Sequence, residues 1–347
     1  MKSALRVFAP GLLTTVQDLG RVGYQHLGVP VSGALDAVSL HAANALVGNP
    51  AGEGALEVAY LGPTLVAEAD DVRVAIVGAR AAIDILPGPS CGEGRRVEGM
   101  QSMRLRRGEA VRIGALTGGS VLYVAVEGGF DIQPVLGSVS TYIRGGIGGM
   151  QGRALMAGDL LPLRHSRAIE RDESRLDGFS LKLPARIRAI AGPQNDYFSD
   201  REIAAFFDHE YTVGPSADRL GMRLTGRAIQ HSRGFDITSD GIAPGSIQVP
   251  GNGQPIVLLA DRQTTGGYPK IATVISADIP ALGRFPIGAR IAFELVTLEV
   301  AVAARRQHVA ELAAISDRIV SLGGPCADIT ANLNGYNLIS GVIDAAA

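Results

Sequence analysis

Cysteine is scarce in this sequence, and long apolar runs are missing. Only two cysteines, Cys91 and Cys326, occur among 347 residues, and they form no CxxC pair. Two cysteines are too few to build the disulfide framework of a small secreted protein. Residues 1–10 lack the apolar core of a secretory signal, and no apolar run approaches the roughly 20 residues of a membrane span. We therefore predict a cytoplasmic protein without a membrane-spanning segment.

Charge is low and nearly balanced, which narrows the choice of partners. Charged residues make up 19% of the chain, and the formal net charge is −2. This balance gives no electrostatic reason to expect nucleic acid or an anionic membrane as a partner. Hydrophobic residues make up 46% of the chain, enough to bury a sizeable core. We expect a globular protein whose substrate is a small molecule.

Several cofactor motifs are also missing. The chain contains no GxxxxGK[ST] phosphate loop, and its glycine runs do not complete GxGxxG, so a nucleotide site here would be atypical. Its six histidines form no HExxH pattern, and we expect no metal site. The Met-Lys-Met type of sequence that carries biotin is absent too. A biotin-dependent reaction would therefore need the prosthetic group from a separate carrier.

Short strands and tight turns dominate what the sequence does contain. Its 45 glycines and 18 prolines separate brief Val, Leu and Ile runs, a pattern typical of a mostly β fold with a few helices. The length favours about two domains, and the charged residues 164–177 mark the predicted boundary. The predicted strands cover residues 55–61, 72–77, 111–113, 121–126, 187–190, 256–260 and 271–275.

Two helices and a tail are predicted in the second half. Ser199 and Glu202 form the capping box of one helix. The pattern of residues 299–322 predicts another. The tail at residues 332–347 is predicted to be an arm that docks on another surface.

A polar loop between two predicted strands is the densest collection of reactive side chains. Its ten residues, from Asp261 to Lys270, are far more than a hairpin needs. Gly266 and Gly267 would allow the backbone to approach a ligand closely. The loop is either a solvated surface or a site, and its density of polar residue types favours a site. The residues that we single out are Asp261, Arg262, Gln263, Thr264, Thr265, Tyr268 and Lys270.

Lys270 is the leading candidate in this loop because lysine is rare in the chain. Only three lysines occur among 32 basic residues. Arginine keeps its charge and offers a planar fork, whereas lysine is a compact charge whose pKa falls when it is desolvated. The two are therefore not interchangeable at a reacting centre.

A second polar cluster lies near the N-terminus. Gln17, Asp18 and Arg21 lie close together on a glycine-punctuated segment that could bind carboxylate, phosphate or amide groups. An ion pair between Asp18 and Arg21 that stabilises a turn is an equally good interpretation.

Ser32 and Asp36 precede a helix predicted over residues 37–48, for which Gly48 is the C-terminal glycine. Either residue could cap this helix, and capping is the favoured interpretation. A helix N-terminus also attracts anions, so both residues could still face a ligand.

The third cluster is rich in glycine. Residues 136–153 place several glycines among hydroxyl groups and one arginine. Such a segment serves either as a mobile lid or as a backbone cradle for a ligand. Its polar members are Ser138, Ser140, Thr141, Tyr142 and Arg144.

Five segments together resemble one known family. They are Thr15-Val-Gln-Asp-Leu-Gly-Arg-Val-Gly-Tyr24, Gly28-Val-Pro-Val-Ser-Gly-Ala-Leu-Asp36, Ala43-Asn-Ala-Leu-Val-Gly-Asn49, Gly137-Ser-Val-Ser-Thr-Tyr142 and Leu259-Ala-Asp-Arg-Gln-Thr-Thr-Gly-Gly-Tyr-Pro-Lys270. The sequence is similar to the KipA family, which includes the C-type subunit of 5-oxoprolinase, allophanate hydrolase subunit 2 and one half of the carboxyltransferase region of biotin-dependent urea carboxylase. The resemblance covers nearly the whole chain, over residues 5–303.

The resemblance implies two cyclophilin-like β-barrel domains, at residues 1–170 and 178–303. A helical extension and tail would follow at residues 304–347. It also implies a KipI-like partner subunit, with the working site in or beside the cleft between the two proteins. Similar bacterial proteins join that partner and a LamB/YcsF-like subunit to hydrolyse 5-oxo-L-proline to L-glutamate with ATP. Which subunit would hold ATP stays open, because the chain has no familiar nucleotide loop.

Two alternative functions would use the same residues. One is the carboxyltransferase component of a biotin-dependent urea or amide carboxylase, with biotin delivered by a carrier. The other is regulatory, because KipA-like proteins can antagonise a KipI-like kinase inhibitor. The polar loops would then form a binding surface instead of a catalytic one.

Hydrolysis of a lactam suggests roles for the candidate residues. The carbonyl must be made electrophilic by phosphorylation or polarisation, and cationic donors stabilise the charge that develops. We therefore expect catalytic roles for Lys270, Asp261 and Arg262. We expect substrate binding by Gln17, Arg21, Ser32, Asp36, Gln263, Thr264, Thr265 and Tyr268.

Overall fold

The computed structural model describes residues 3–88 and 93–323. Its helices are α1 (Ala37–Val47), α2 (Asp200–Asp208), α3 (Ile279–Leu282) and α4 (Leu298–Ala313). Its strands are β1 (Ala4–Ala9), β2 (Leu13–Gln17), β3 (Ala55–Ala59), β4 (Thr64–Ala67), β5 (Asp71–Arg80), β6 (Ile83–Leu86), β7 (Arg95–Val97), β8 (Ser102–Arg106), β9 (Ala110–Ile113), β10 (Thr117–Val126), β11 (Leu160–Pro162), β12 (Ser174–Leu176), β13 (Ile187–Ala191), β14 (Glu210–Val213), β15 (Gly221–Thr225), β16 (Asp240–Gly241), β17 (Ser246–Gln248), β18 (Ile256–Leu258), β19 (Thr265–Gly266), β20 (Lys270–Val274), β21 (Arg290–Leu295) and β22 (Ile319–Ser321). The predicted mostly β fold with a few helices is confirmed.

Strands β1 to β11 form an N-lobe of two sheets. One sheet has six strands in the order β11-β1-β4-β9-β6-β7, and the other has five in the order β2-β3-β10-β5-β8. Apolar side chains from both sheets pack together between them, with residues such as Leu5, Leu56, Leu65, Leu105 and Leu122 fully buried. This core fixes the strand register, because shifting a strand by one residue would turn its apolar side chains outward.

Helix α1 covers the outer face of the five-stranded sheet. Leu40 and Leu46 pack against Ala75, Val77 and Tyr123 of that sheet in a second buried cluster. The sheet therefore has an apolar layer on each face, which explains why β5 and β10 are almost continuously apolar.

The ends of α1 follow the predicted capping rules. The Asp36 carboxylate accepts hydrogen bonds from the backbone N–H groups of Val38 and Ser39, at 3.1 and 3.4 Å. Gly48 ends the helix in the left-handed conformation, with φ of 77°. The predicted helix is confirmed, and Asp36 is its N-cap.

The C-lobe, β13 to β21, contains a closed barrel. Its strand order is β13-β20-β17-β18-β15-β14-β21, and a separate two-stranded ladder joins β16 to β19. The barrel core includes Ile187, Phe206, Ile247, Val257 and Phe293. Closure leaves the barrel without free sheet edges.

Helix α2 begins where the sequence places it. The Ser199 hydroxyl accepts a hydrogen bond from the Glu202 N–H at 3.3 Å. The Glu202 carboxylate binds Arg227 at 2.7 and 2.9 Å, so it does not complete the capping box. One half of the predicted motif is therefore present.

The predicted boundary segment is held on the N-lobe by a buried arginine. Arg73 of β5 donates to Glu173 at 3.1 Å and to the backbone oxygens of Ile169 and Arg171 at 2.9 and 2.7 Å. The charged residues 164–177 are thus packed against the N-lobe, and their last part forms β12.

Helix α4 is shorter than the sequence pattern predicts. It ends at Ala313, and a 3-10 turn at Ser316–Arg318 leads into β22. The β-branched Ile319 and Val320 pair with β12 in an antiparallel ladder. Tertiary pairing therefore replaces the last two predicted helical turns.

Some predictions concern residues outside the described ranges. Cys91, Cys326 and the predicted docking tail at residues 332–347 belong to this group. Within the described residues, no helix has the length and hydropathy needed to cross a membrane.

Candidate functional site

A chain of buried polar side chains joins the two lobes. Arg219 of the C-lobe donates to Glu57 of the N-lobe and to both carboxylate oxygens of Asp261, at 2.9 and 3.0 Å. The Ser32 hydroxyl also donates to Asp261. Glu57 accepts a further hydrogen bond from the Tyr123 hydroxyl. We call Ser32, Glu57, Tyr123, Arg219 and Asp261 the interlobe network.

Two carboxylates of this network share one guanidinium. Burial opposes the charge on Arg219, but Glu57 and Asp261 outweigh it and raise its pKa. Burial and the neighbouring Glu57 raise the pKa of Tyr123. Tyr123 therefore stays neutral, and its hydroxyl donates a hydrogen bond to Glu57. The hydrogen bond from Ser32 to Asp261 brings two of the predicted site residues into direct contact.

Asp36 makes a second polar link between the lobes. Its carboxylate accepts from Arg284 of the C-lobe, with Nη1 3.2 Å from each oxygen. Its backbone N–H donates to the Tyr123 hydroxyl at 2.9 Å, which connects it to the interlobe network. Asp36 is fully buried, so its bonds in this structure are those of a helix cap and an ion pair.

A cavity of about 90 Å³ lies between the lobes beside this network. Glu57 and Arg219 form part of its wall, and Thr15 of β2 adds a hydroxyl. Most of the remaining wall is apolar. An apolar wall with a few polar groups is typical of small-molecule pockets, but this volume is well below the roughly 300–1,000 Å³ of such pockets. The apolar lining includes Leu13, Leu35, Ala59, Met222, Leu259, Leu282 and Phe285.

Arg21 is buried close to the interlobe network but lacks a carboxylate partner among the described residues. It is 1% exposed, and its Nη2 donates to the Ser140 carbonyl oxygen. Among the described residues, neither its Nε atom nor its Nη1 atom has a hydrogen-bond acceptor. Burial lowers the pKa of Arg21, although the charges of Asp18 and Asp261 oppose this effect.

Asp18 does not form the ion pair considered from the sequence. Its carboxylate accepts from the hydroxyls of Ser138 and Ser140, at 2.6 and 2.5 Å, and from the Val139 N–H at 2.8 Å. The salt bridges of the described residues do not include Arg21. Asp18 therefore anchors the start of the glycine-rich segment.

Gln17 lies on the same buried layer. Its Nε2 donates to the Thr15 hydroxyl and the Thr141 carbonyl oxygen, both at 3.0 Å. A carbonyl oxygen can only accept, so the amide nitrogen must face Thr141. The Gln17 Oε1 atom then has no donor among the described residues.

Lys270 occupies a second part of the candidate site, at the start of β20. It is 1% exposed, and its Nζ atom lies 2.9 Å from Asp240 Oδ2. Gln194 donates to the same carboxylate oxygen at 3.2 Å. The hydrogen bond from Lys270 lowers the pKa of Asp240. The Asp240 side chain is 51% exposed, so the carboxylate of this ion pair meets solvent whereas the ammonium is buried.

Arg262 lies near the same short segment. Its Nε and Nη1 atoms donate to the backbone oxygens of Ile242 and Leu259, at 3.1 and 3.3 Å. Burial lowers the pKa of Arg262 to about 10. Lys270 approaches the adjacent Gly241 carbonyl oxygen at 3.4 Å. The two cations therefore contact neighbouring peptide groups.

The other loop residues surround this pair of cations less tightly. Thr265 pairs with Gly241 in the β16–β19 ladder, and the Thr264 carbonyl oxygen accepts from the Ile242 N–H at 3.0 Å. Gln263, Thr265 and Tyr268 are exposed, and Thr264 is half-buried.

The structure thus divides the predicted residues into two groups. The interlobe group contains Gln17, Arg21, Ser32, Asp36 and Asp261. The loop group contains Arg262, Gln263, Thr264, Thr265, Tyr268 and Lys270. Sequence reasoning missed Glu57, Gln194, Arg219 and Asp240, which bind these residues from distant parts of the chain and carry no local motif. The catalytic and substrate-binding roles of the residues in the two groups stay predictions.

The family of the chain follows from its sequence match. Residues 27–295 match the family described as carboxyltransferase domain, subdomain A and B. The chain belongs to this family. The resemblance to the KipA family is thereby confirmed, because that resemblance includes a carboxyltransferase region.

Relatives of this carboxyltransferase-domain chain carry two kinds of name. It is 38% identical over 305 residues to the C-type subunit of 5-oxoprolinase from Escherichia coli, covering 88% of this chain and 95% of that protein. It is 35% identical over 294 residues to the Haemophilus influenzae protein of the same name, covering 85% and 92%. The solved structure of the K. lactis urea amidolyase superposes with a TM-score of 0.82 and 27% identity, covering 92% of this chain and 21% of that one.

Proposed function

We propose that this chain is a subunit of an ATP-dependent 5-oxoprolinase complex that hydrolyses 5-oxo-L-proline to L-glutamate. The observation that carries this proposal is the 38% identity to the E. coli 5-oxoprolinase protein over 95% of that relative's length. The proposed partners are a KipI-like and a LamB/YcsF-like subunit, and the proposed location is the cytoplasm. ATP acts in the complex, and the lack of a familiar phosphate loop in this chain favours a site that includes a partner.

The candidate site offers groups that suit this chemistry. Lys270 and Arg262 are buried cations on neighbouring peptide groups, and charges in a site that excludes water stabilise developing anions strongly. We assign them to the phosphoryl or oxyanion charge of the reacting lactam. Asp261 orients the interlobe side of the site through Ser32 and Arg219. Gln263, Thr264, Thr265 and Tyr268 position the substrate from the loop.

We also propose the domain limits indicated by the resemblance. Residues 1–170 would form the first domain and residues 178–303 the second, with residues 304–347 as an extension. The N-lobe and the C-lobe barrel fall within the first two ranges.

The proposal is tested by reconstituting the complex. Glutamate formation from 5-oxo-L-proline would be measured with ATP and all three subunits, and again with each subunit omitted. Activity should vanish without this chain. An assembled, ATP-competent complex that keeps full activity without it would refute the proposal.

Two lysine variants make the test specific to the site. Lys270→Met should abolish glutamate formation in the assembled complex. Lys182→Met is the matched control, because Lys182 is exposed and lies on the segment between the lobes. Equal loss of activity in both variants would contradict a catalytic role for Lys270.

A second candidate function is carboxyl transfer from a biotin carrier. The family description and the likeness to the K. lactis urea amidolyase favour it. In this reaction Lys270 or Arg262 would polarise the carbonyl of carboxybiotin. Carboxybiotin and a urea or amide acceptor should then react on this chain, with the carboxyl group passing to the acceptor nitrogen and biotin released. Transfer activity together with an inactive oxoprolinase complex would decide for this alternative.

A further inference from the structure

Four arginines in the described residues are nearly fully buried, and they differ sharply in their partners. Arg262 is 2% exposed and donates to two backbone oxygens. Arg73 is 0% exposed and donates to two carboxylates, those of Glu127 and Glu173. Arg219 is 7% exposed and also binds two carboxylates. Arg21 is 1% exposed, and within the described part of the chain it binds only the Ser140 carbonyl oxygen. The fold can pair its buried cations, but here it leaves two nitrogen atoms of Arg21 without an acceptor.

An unpaired buried cation is costly. The penalty for removing one ion from water amounts to several kcal/mol, and nearby hydrogen bonds offset it only partly. An apolar or neutral side chain at position 21 would avoid this cost. A partner that arrives from outside the chain would justify it, because an anion could then use the Nε and Nη1 donors of Arg21.

An unpaired atom of Gln17 indicates a second feature of the ligand. Gln17 Oε1 is a fixed acceptor without a donor among the described residues, since the Gln17 Nε2 is held by Thr141. Arg21 is held by Ser140, the residue adjacent to Thr141. The two side chains are therefore anchored on adjacent residues. Arg21 keeps two free donors, and Gln17 keeps one free acceptor. A ligand with a carboxylate beside an N–H group satisfies both.

We propose that Arg21 and Gln17 form a substrate subsite in which Arg21 binds a carboxylate and Gln17 accepts a hydrogen bond from the adjacent N–H group. This inference rests on the proposed function, because 5-oxo-L-proline carries its lactam N–H beside the carbon that bears the carboxylate. It assigns Arg21 to substrate specificity, whereas Lys270 and Arg262 are assigned to the reacting carbonyl.

The glycine-rich segment at residues 143–152 covers this subsite. A side chain at Gly148 would collide with the Ser140 carbonyl oxygen and lie 2.8 Å from Arg21 Nη2. The φ angle of Gly148, 74°, also favours glycine. An exposed ion pair between Arg144 and Asp218, at 3.3 Å, links the segment to the C-lobe. The cover must move to admit a ligand, which would break the weak surface ion pair and the hydrogen bond from the Gly149 N–H to the Val139 carbonyl oxygen at 2.9 Å.

The first test compares substrates in the active three-subunit complex. Arg21→Gln should raise KM for 5-oxo-L-proline by about 10- to 100-fold, the range expected for one lost charge-assisted hydrogen bond. It should lower kcat/KM for 2-pyrrolidinone, the lactam without a carboxylate, by a much smaller factor. Arg80→Gln is the control, since Arg80 is exposed on the N-lobe. An equal loss with both substrates, or no loss, would overturn the inference.

A second measurement compares the acid with its amide, first in the wild-type complex and then in Arg21 variants. The wild-type complex should prefer 5-oxo-L-proline over 5-oxo-L-prolinamide, in which a neutral amide replaces the carboxylate. Arg21→Lys should restore part of the preference, because it keeps the charge but not the planar group. Equal use of acid and amide by the wild-type complex would refute the carboxylate assignment even if the Arg21 variants do not fold.

Binding measurements separate this inference from the proposed function. Calorimetry would follow 5-oxo-L-proline, 2-pyrrolidinone and inorganic phosphate added to the assembled complex. Carboxylate binding that Arg21→Gln abolishes would support the subsite even if the complex formed no glutamate. Preferential binding of phosphate at Arg21, or no binding of the carboxylate by the wild type, would overturn it.

Discussion

Replacing Arg219 by methionine should cost far more stability than the same change at Arg21. Both side chains are buried. Arg219→Met would leave Glu57 and Asp261 buried without their shared cation, and breaking a buried ion pair in this way costs about 3–5 kcal/mol. Arg21→Met would remove only one side-chain hydrogen bond within the described residues, to Ser140, together with a buried charge that touches no carboxylate there and that Asp18 and Asp261 offset only from a distance. We expect Arg21→Met to be as stable as the wild type or more stable.

The comparison can be made by urea unfolding of the isolated chain at pH 7. At roughly 2 °C per kcal/mol for a large chain, Arg219→Met should also lower the melting temperature by about 6–10 °C. High salt should change the difference little, because buried charges are poorly screened. A loss for Arg21→Met that matches the loss for Arg219→Met would show that Arg21 is structural. It would thereby remove the argument for an external partner.

Three further predictions concern other parts of the structure. Asp240→Asn should lower activity and shift its pH profile, because Lys270 would lose its only carboxylate among the described residues. Stability should fall by about 1–3 kcal/mol, because the buried ammonium would keep only neutral acceptors. Gly148→Ala should unfold at clearly lower urea than Gly146→Ala, since only the first side chain would collide with the backbone. Tyr211→Phe should be at least as stable as the wild type, because the buried Tyr211 hydroxyl has no partner in the described part of the chain.

The Tyr211 prediction has a pH signature. Burial raises the pKa of Tyr211 to about 12, whereas an unfolded tyrosine loses its proton near pH 10. Above pH 10 the unfolded state therefore binds fewer protons than the folded state, and stability falls as pH rises. Urea midpoints at pH 9 and 11 should fall less in Tyr211→Phe than in the wild type. An equal fall would contradict the assignment.

Matched outcomes would also contradict the other two predictions. If Asp240→Asn kept the activity and pH profile of the wild type, Asp240 would not position Lys270. If Gly146→Ala and Gly148→Ala unfolded at the same urea concentration, the segment would not rest on Ser140 as closely as the structure shows.

Local rules predicted the features that depend on neighbouring residues. Asp36 and Gly48 were identified as the ends of a helix because capping involves residues within one turn. The crowding of polar residues in one loop points to Asp261 and Lys270. Ser199 was identified as a cap for the same local reason.

Long-range pairing could not be predicted in this way. Glu57 and Arg219 are separated by 162 positions, and neither lies in a recognisable motif. Asp240 reaches Lys270 from another strand, 30 positions away. The end of α4 was missed because β22 gains its pairing from β12, which a helical pattern does not reveal.

The cap of α1 has a consequence for how this architecture is inherited. Asp36 begins a helix of the N-lobe and binds Arg284 of the C-lobe, and it is fully buried. Cutting the chain between the lobes would therefore expose charges on both pieces and leave a helix start without its cation. We therefore expect the two lobes to be inherited together as one unit. The likeness to the much longer K. lactis urea amidolyase fits this expectation, because it spans 92% of this chain and only 21% of that protein.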